Sequence, residues 1–190
     1  MKKIFSIFLV TAVLVLACAK PPVEEMNKAM EALTRAENNA DAVGYAGTTL
    51  NRAREALAKM QEESDSKRYD SAKIFAADVI DLSERAIAEG RTGAARAREE
   101  AANLLSSLRD PLAETEAALG AAKRTPNIQL DFNALDSNMD YAKSNYSSAQ
   151  QSLSSSNYPD ALAKGQTVRS ALSSINGSLN AAAQAMSSKK

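Results

Sequence analysis

The chain has 190 residues, with 23 basic and 23 acidic side chains, one cysteine, and no histidine or tryptophan. The lack of histidine excludes Ser-His-Asp and Cys-His catalysis, and the lack of a basic tract argues against a nucleic acid partner. Alanine, the strongest helix former, supplies about a fifth of the chain. This composition favours slender helices packed through small side chains, and we expect no catalytic residue, metal site or cofactor.

The N-terminal segment has the organisation of a secretory signal peptide, which we place at 1–17. Lys2 and Lys3 precede an apolar run at 4–16, and its length of about 13 residues is too short to cross a bilayer. The segment Val15-Leu16-Ala17-Cys18 then resembles the bacterial lipobox. That resemblance implies cleavage between Ala17 and Cys18, acylation of Cys18, and membrane lipid as a partner of the mature chain.

The alternatives for Cys18 are a disulfide or a buried core thiol. An intramolecular disulfide is impossible because there is no second cysteine, and a core thiol would not follow a charged and then apolar N-terminus. Two or more acyl chains, as the lipobox implies, hold a protein stably on a membrane. In the lipoproteins of enteric bacteria, an aspartate after the cysteine retains the protein at the inner membrane. By analogy, Ala19 at that position leads us to expect the periplasmic face of the outer membrane.

The mature chain begins with a short tether at 18–22 and continues with helical patterns. Apolar residues recur every three or four positions over 26–36, 46–60 and 69–86, as in amphipathic helices. Turns are predicted near 38–47 and 64–68, and no stretch alternates with the period of a strand. Glutamate pairs at 24/25, 62/63 and 99/100 are typical of solvated helix faces, so Glu62 and Glu99 should be exposed.

The apolar pattern recurs after 89 residues. Leu50-x-x-Ala53 falls on Met139-x-x-Ala142, and Tyr69-x-x-Ala72 falls on Tyr158-x-x-Ala161. Such self-similarity indicates a repeated structural unit. It predicts that Tyr69 and Tyr158 occupy equivalent positions, and the second copy adds turns near 124–131 and 154–158.

The join between the two copies contains two glycines and a proline. Gly90-Arg-Thr-Gly93 indicates a helix break, because no strand precedes it as a phosphate-binding loop requires. Asp110-Pro111 favours a new helix with Asp as N-cap, although one long helix kinked at Pro111 is the alternative. We therefore expect an all-α protein of about six helices. Two repeated antiparallel hairpin or three-helix units, at 23–109 and 110–190, should form an elongated helical bundle.

The first copy also resembles a known family. Leu50-x-x-Ala53-x-x-x-Leu57, a polar turn and Tyr69-x-x-Ala72-x-x-x-Ala76 are similar to a family of uncharacterised Gram-negative envelope proteins. This resemblance, best over about residues 23–90, implies a small helical domain of unknown function, often found in lipoproteins and sometimes beside a peptidoglycan-binding domain. It carries over no catalytic residue. A weaker similarity to tetratricopeptide helices lacks the full consensus of that repeat.

Three classes of function follow from these patterns. The favoured one is a non-enzymatic structural or adaptor lipoprotein, with an envelope protein or peptidoglycan as partner. A binding module for a peptide, protein or cell-wall glycan is the alternative, through an inter-helix groove near Tyr69, Tyr141, Tyr146 or Tyr158. An enzyme would require convergent carboxylates.

The C-terminus and the oligomeric state leave alternatives open. Lys190 superficially resembles the terminal lysine by which the major murein lipoprotein is joined to peptidoglycan. A lysine pair that complements the end of a helix is the simpler explanation. The sequence does not determine the oligomeric state.

Overall fold

The computed structural model describes residues 20–188 and contains only helices there. The predicted signal peptide 1–17, the predicted cleavage and lipidation residues Ala17 and Cys18, and Lys190 lie outside the described residues. The all-α prediction is confirmed, and no helix within 20–188 is long and apolar enough to cross a bilayer. The six described helices are α1 (Val23–Glu37), α2 (Ala40–Tyr45), α3 (Gly47–Asp65), α4 (Tyr69–Lys123), α5 (Phe132–Ser154) and α6 (Tyr158–Ser187).

The chain divides into two compact units between Gly93 and Ala94, whereas the sequence placed this boundary at 109/110. The difference arises from Leu104, Leu105 and Leu108, which are buried in the apolar cluster of the second unit. These side chains therefore pack in the same cluster as residues of α5 and α6, although they precede Pro111, where the sequence suggested that a new helix begins.

Unit 1 contains α1, α2, α3 and the first part of α4. Asn39 caps α2 by accepting a hydrogen bond from the backbone N–H of Ala42 at 2.9 Å. Leu50 and Met60 are almost fully buried, at 2 % and 0 % exposure, but most of the core is alanine. Small side chains allow helix axes to approach at the lower end of the usual range of about 8–10 Å. The buried cluster consists of Ala29, Leu33, Ala36, Ala42, Ala46, Leu50, Ala53, Ala56, Met60, Ala76, Val79 and Ala86.

The helix break predicted at Gly90 and Gly93 is wrong, because α4 continues through both residues. A Cβ atom on Gly90 would lie 2.5 Å from the backbone nitrogen of Ala42, and one on Gly93 would lie 2.6 Å from Cβ of Tyr45. Glycine at these positions lets α2 pack directly on the backbone of α4. The two glycines thus serve close helix approach rather than chain reversal.

Of the two alternatives at Asp110-Pro111, the continuous helix is correct, because Pro111 lies inside α4. Proline lacks an N–H and its ring crowds the carbonyl four residues earlier, at a typical cost of about 3 kcal/mol in a helix interior. Leu108 and Leu119 on either side are each 3 % exposed. Burial of such leucines, which typically stabilises by about 1.5–3 kcal/mol each, is enough to offset the proline.

Unit 2 contains the last part of α4 with α5 and α6. Its apolar side chains are larger than those of unit 1, and Val168 and Ile175 are both fully buried. Asp131 caps α5 by accepting a hydrogen bond from the N–H of Ala134. The buried cluster consists of Leu104, Leu105, Leu108, Leu119, Ala122, Leu135, Met139, Ala142, Ala149, Val168, Leu172, Ile175 and Leu179.

The turn between α3 and α4 recurs between α5 and α6, 89 residues later. Lys67 and Ser156 both have a positive φ, at 59° and 62°. The N–H of Arg68 and that of Asn157 each donate to the carbonyl five residues earlier, both at 2.8 Å. This geometry is the Schellman type of helix end. The 89-residue repeat of the sequence therefore corresponds to a repeated helix–turn–helix.

Side chains on either side of the two turns also match. Tyr69 and Tyr158 are each the first residue of a helix and are half-buried, so their predicted equivalence is confirmed. Ala72 and Ala161, three residues later, are both fully buried. The predicted turns near 64–68, 124–131 and 154–158 lie where one helix of the structure ends and the next begins, whereas the turn predicted at 38–47 is wrong in part, because that range contains the short helix α2.

Candidate functional site

The predicted site at Ala17 and Cys18 lies outside the described residues and precedes α1 in the sequence by a few residues. Pro22 occupies the N-cap position of α1, and the backbone N–H of Val23 donates to the carbonyl of Pro21 at 2.9 Å. The chain is thus held in a defined conformation from Pro21 onward. Only Ala19 and Lys20 separate this point from Cys18.

The carboxylates singled out in the sequence lie on the surface. Glu62 and Glu99 are exposed, as predicted. Glu63 is partly buried and accepts hydrogen bonds from Nε and Nη2 of Arg68, at 2.5 and 2.7 Å. That bond lowers the pKa of Glu63. Within residues 20–188, no three carboxylate or cysteine side chains are grouped so that they suit a metal ion.

A polar cluster in unit 2 joins α5 to α6. Ser152 lies 2.5 Å from a carboxylate oxygen of Asp160, and Lys164 donates to the same oxygen at 2.5 Å and to Ser152 Oγ at 3.2 Å. The ion pair with Lys164 and the bond with Ser152 lower the pKa of Asp160. The cluster is suited to linking two helices.

A related cluster in unit 1 joins α3 to α4. Buried Thr49 donates from its hydroxyl to Glu89 Oε2 at 2.5 Å, and Arg85 donates to Oε1 at 2.7 Å. The bond from Thr49 and then that from Arg85 lower the pKa of Glu89. Sequence analysis missed Thr49, Glu89, Asp160 and Lys164, because each fits the polar face of an amphipathic helix and only the fold gives it a partner.

The tyrosines predicted near a groove differ in exposure. Tyr141 is 56 % exposed, while Tyr146 is half-buried and its hydroxyl donates to the carbonyl of Leu105 at 3.2 Å. Five residues apart on one helix, Tyr141 and Tyr146 point to different sides. The side chain of Tyr146 therefore serves packing within unit 2.

An open apolar groove lies between the C-terminal parts of α4 and α6 in unit 2. It has a volume of about 540 Å³, and a second groove of about 350 Å³ shares Met186 with it. No charged residue occurs from Ser170 to Ser188, so one wall of the groove carries no formal charge. The first groove is lined by Ala118, Ala121, Ala122, Thr125, Ile128, Leu179, Asn180, Ala183, Met186 and Ser187.

Comparison with known families identifies a domain in the first part of the chain. Residues 24–103 match a family described as a domain of unknown function, DUF4398. The match begins in α1, includes α2 and α3, and ends within α4, so it contains the whole described part of unit 1 from residue 24 onward. Comparison with curated proteins and with solved structures gave no match.

Proposed function

We propose that this protein is a membrane-anchored envelope lipoprotein that acts as a non-enzymatic structural or adaptor module of helices. The observation that carries the proposal is the sequence Val15-Leu16-Ala17-Cys18, which follows an apolar signal-like segment. The DUF4398 match at 24–103 adds a helical domain directly after the anchor. The expected location is the periplasmic face of the outer membrane.

The hydrogen-bonded polar clusters support a structural role. Thr49 with Glu89 in unit 1, and Ser152 with Asp160 in unit 2, each connect two helices of their own unit. Their atoms are engaged with one another rather than directed into a cleft. Such clusters fix the packing of alanine-rich helices, whose small side chains alone would specify it weakly.

Metabolic labelling with an alkyne fatty acid tests the anchor. Wild type and Ala19→Ser, a matched control that keeps the thiol, should both incorporate the label, while Cys18→Ser should not. Cys18→Ser should also leave the membrane fraction and keep its helical circular dichroism, because the described helices begin at Val23, after the substituted position. Equal labelling of Cys18→Ser and wild type would refute the proposal.

Crosslinking followed by purification from detergent-solubilised membranes tests the adaptor role. An adaptor should yield a defined crosslinked envelope protein or remain with boiled peptidoglycan sacculi. Muramidase digestion of those sacculi would release a muropeptide on Lys190 if that lysine were attached covalently. A protein that is lipidated but gives neither crosslink nor sacculus association would not be an adaptor.

The apolar groove of unit 2 favours a second candidate, a binding module for a peptide or protein. Ala183→Trp should fill the groove, whereas Gln184→Trp places the same side chain at an exposed neighbour that does not line it. A crosslinked partner lost only in Ala183→Trp would support binding through the groove. Equal crosslinking of both variants would contradict it.

A further inference from the structure

Unit 1 has a defined end that faces its tether. Ala32 of α1 and Ile80 of α4 line one shallow groove, Gly90 lies against Ala42, and Gly93 against Tyr45. The partners of each pair are 48 residues apart in sequence, so α1 and α2 run alongside α4 in the same direction. The same offset places Val23 beside position 71, close to the start of α4.

Two exposed apolar side chains lie at this end. Val23 is 58 % exposed and Ile74, on α4, is 63 % exposed. With a rise of about 1.5 Å per residue, Ile74 lies about 5 Å above Val23 along the helix axis. Val43, which is 55 % exposed, lies beside position 91 and therefore about 30 Å above Val23 by the same rise.

The tether is too short to hold this end far from a membrane. Three residue steps separate Cys18 from Pro21, where the defined backbone conformation begins, and a fully extended chain covers at most about 11 Å in that length. By the same offset of 48 residues, Pro21 lies beside position 69. The turn at 66–68 therefore lies at the same height along the helix axis as Pro21, or slightly nearer the tethered end. An anchored Cys18 therefore brings both the turn and the start of α1 to the depth of the lipid headgroups.

We propose that the tethered end of unit 1 docks on the lipid bilayer, with Val23 and Ile74 against the headgroup region. This inference rests on the proposed lipid anchor. The anchor keeps this end of unit 1 at a high effective concentration beside the bilayer, so a small apolar surface is sufficient for docking. Lysines and carboxylates are interspersed there, namely Lys20, Lys67 and Lys73 with Glu25, Asp65 and Asp70. The docking depends on the anchor and apolar contact, and should be insensitive to salt.

Single tryptophans on a chemically anchored chain test the docking. The chain from Cys18 to Lys190 has one thiol and no native tryptophan, so Cys18 can be coupled to a maleimide lipid in phosphatidylcholine vesicles without background emission. Val23→Trp, Ile74→Trp and Val43→Trp replace three exposed apolar residues. Each is compared in vesicles with and without a nitroxide on the lipid headgroup, and circular dichroism checks the fold.

We expect nitroxide to remove most of the emission of Val23→Trp and Ile74→Trp and to leave that of Val43→Trp unchanged, at low and high salt. Quenching of Val23→Trp alone would mean that the unit stands away from the bilayer, and quenching of all three would mean that it lies flat; either result overturns the proposal. Because Cys18 is coupled chemically, the result does not depend on lipidation in the cell.

Discussion

Alanine at Gly90 should destabilise unit 1, although alanine favours helices. In a helix interior, glycine to alanine typically stabilises by about 1 kcal/mol. The added Cβ of Gly90→Ala would lie 2.5 Å from the backbone nitrogen of Ala42 and 2.6 Å from the backbone carbonyl carbon of Asp41. Since backbone atoms cannot rotate away, α2 as a whole must shift.

The size of the effect follows from these two opposing contributions. Overpacking of a tight interior costs about 1–3 kcal/mol, and a clash with backbone belongs at the upper end. We therefore expect a net loss of about 1–2 kcal/mol for Gly90→Ala, after the gain in helix propensity. Alanine substitutions at two other glycines provide a comparison for this loss of stability. A Cβ on Gly177 meets nothing within 4 Å, and one on Gly165 meets the flexible end of Leu104 at 2.7 Å.

Urea unfolding followed by circular dichroism, with amide exchange of α2, distinguishes the three substitutions. Gly177→Ala should gain about 1 kcal/mol, Gly165→Ala should fall between the two, and Gly90→Ala should lose stability and speed exchange at Ala42. If Gly90→Ala stabilises the protein as much as Gly177→Ala, the close packing of α2 on α4 is refuted.

Three further predictions concern single side chains. Lys67→Gly and Ser156→Gly should each stabilise by up to about 1 kcal/mol in urea unfolding, because the left-handed conformation costs other residues more than glycine; a loss at either site would contradict the assigned turn. The lowered pKa of Glu89 gives stability that is present above its ordinary value of 4.5 and lost as pH falls through the folded pKa. Thr49→Val should therefore raise the pKa of Glu89 in a carboxyl NMR titration and reduce acid sensitivity, and an unchanged pKa would exclude their hydrogen bond. Tyr146→Phe should cost about 0.5–1.5 kcal/mol through loss of its hydrogen bond, with a neutral result showing that water replaces it.

Helix positions were predictable because they depend on local periodicity. The apolar spacing from Leu50 to Met60 and the polar turn predicted at 64–68 both act over a few residues, and the structure has a helix over 47–65 followed by a turn at 66–68. The second copy was predictable for the same reason, since Met139 and Ala142 keep the buried positions of Leu50 and Ala53.

The join between the units was not predictable from local signals. A glycine exposed to solvent weakens a helix and can end it. A glycine that faces another backbone, as Gly90 faces Ala42, instead allows two helices to pack closely, and that packing keeps the helix continuous. Asp110-Pro111 likewise has the sequence typical of a helix start. The burial of Leu108 and Leu119 nevertheless keeps α4 continuous. In both cases the outcome depends on contacts distant in sequence.

Two positions beside the repeated turn carry one carboxylate and one hydroxyl in each copy, but in opposite order. In unit 1 the pKa of Glu63 is lowered mainly by the bond from Arg68, with a smaller contribution from the hydroxyl of Ser71, and in unit 2 Ser152 bonds to Asp160. Positions 152 and 160 lie 89 residues after 63 and 71, so the carboxylate and the hydroxyl have exchanged sides of the same turn. Either change alone would place two carboxylates or two hydroxyls in contact. The paired exchange keeps a hydroxyl near a carboxylate at this turn in each copy, which is the result expected if both turns descend from one ancestral helix–turn–helix.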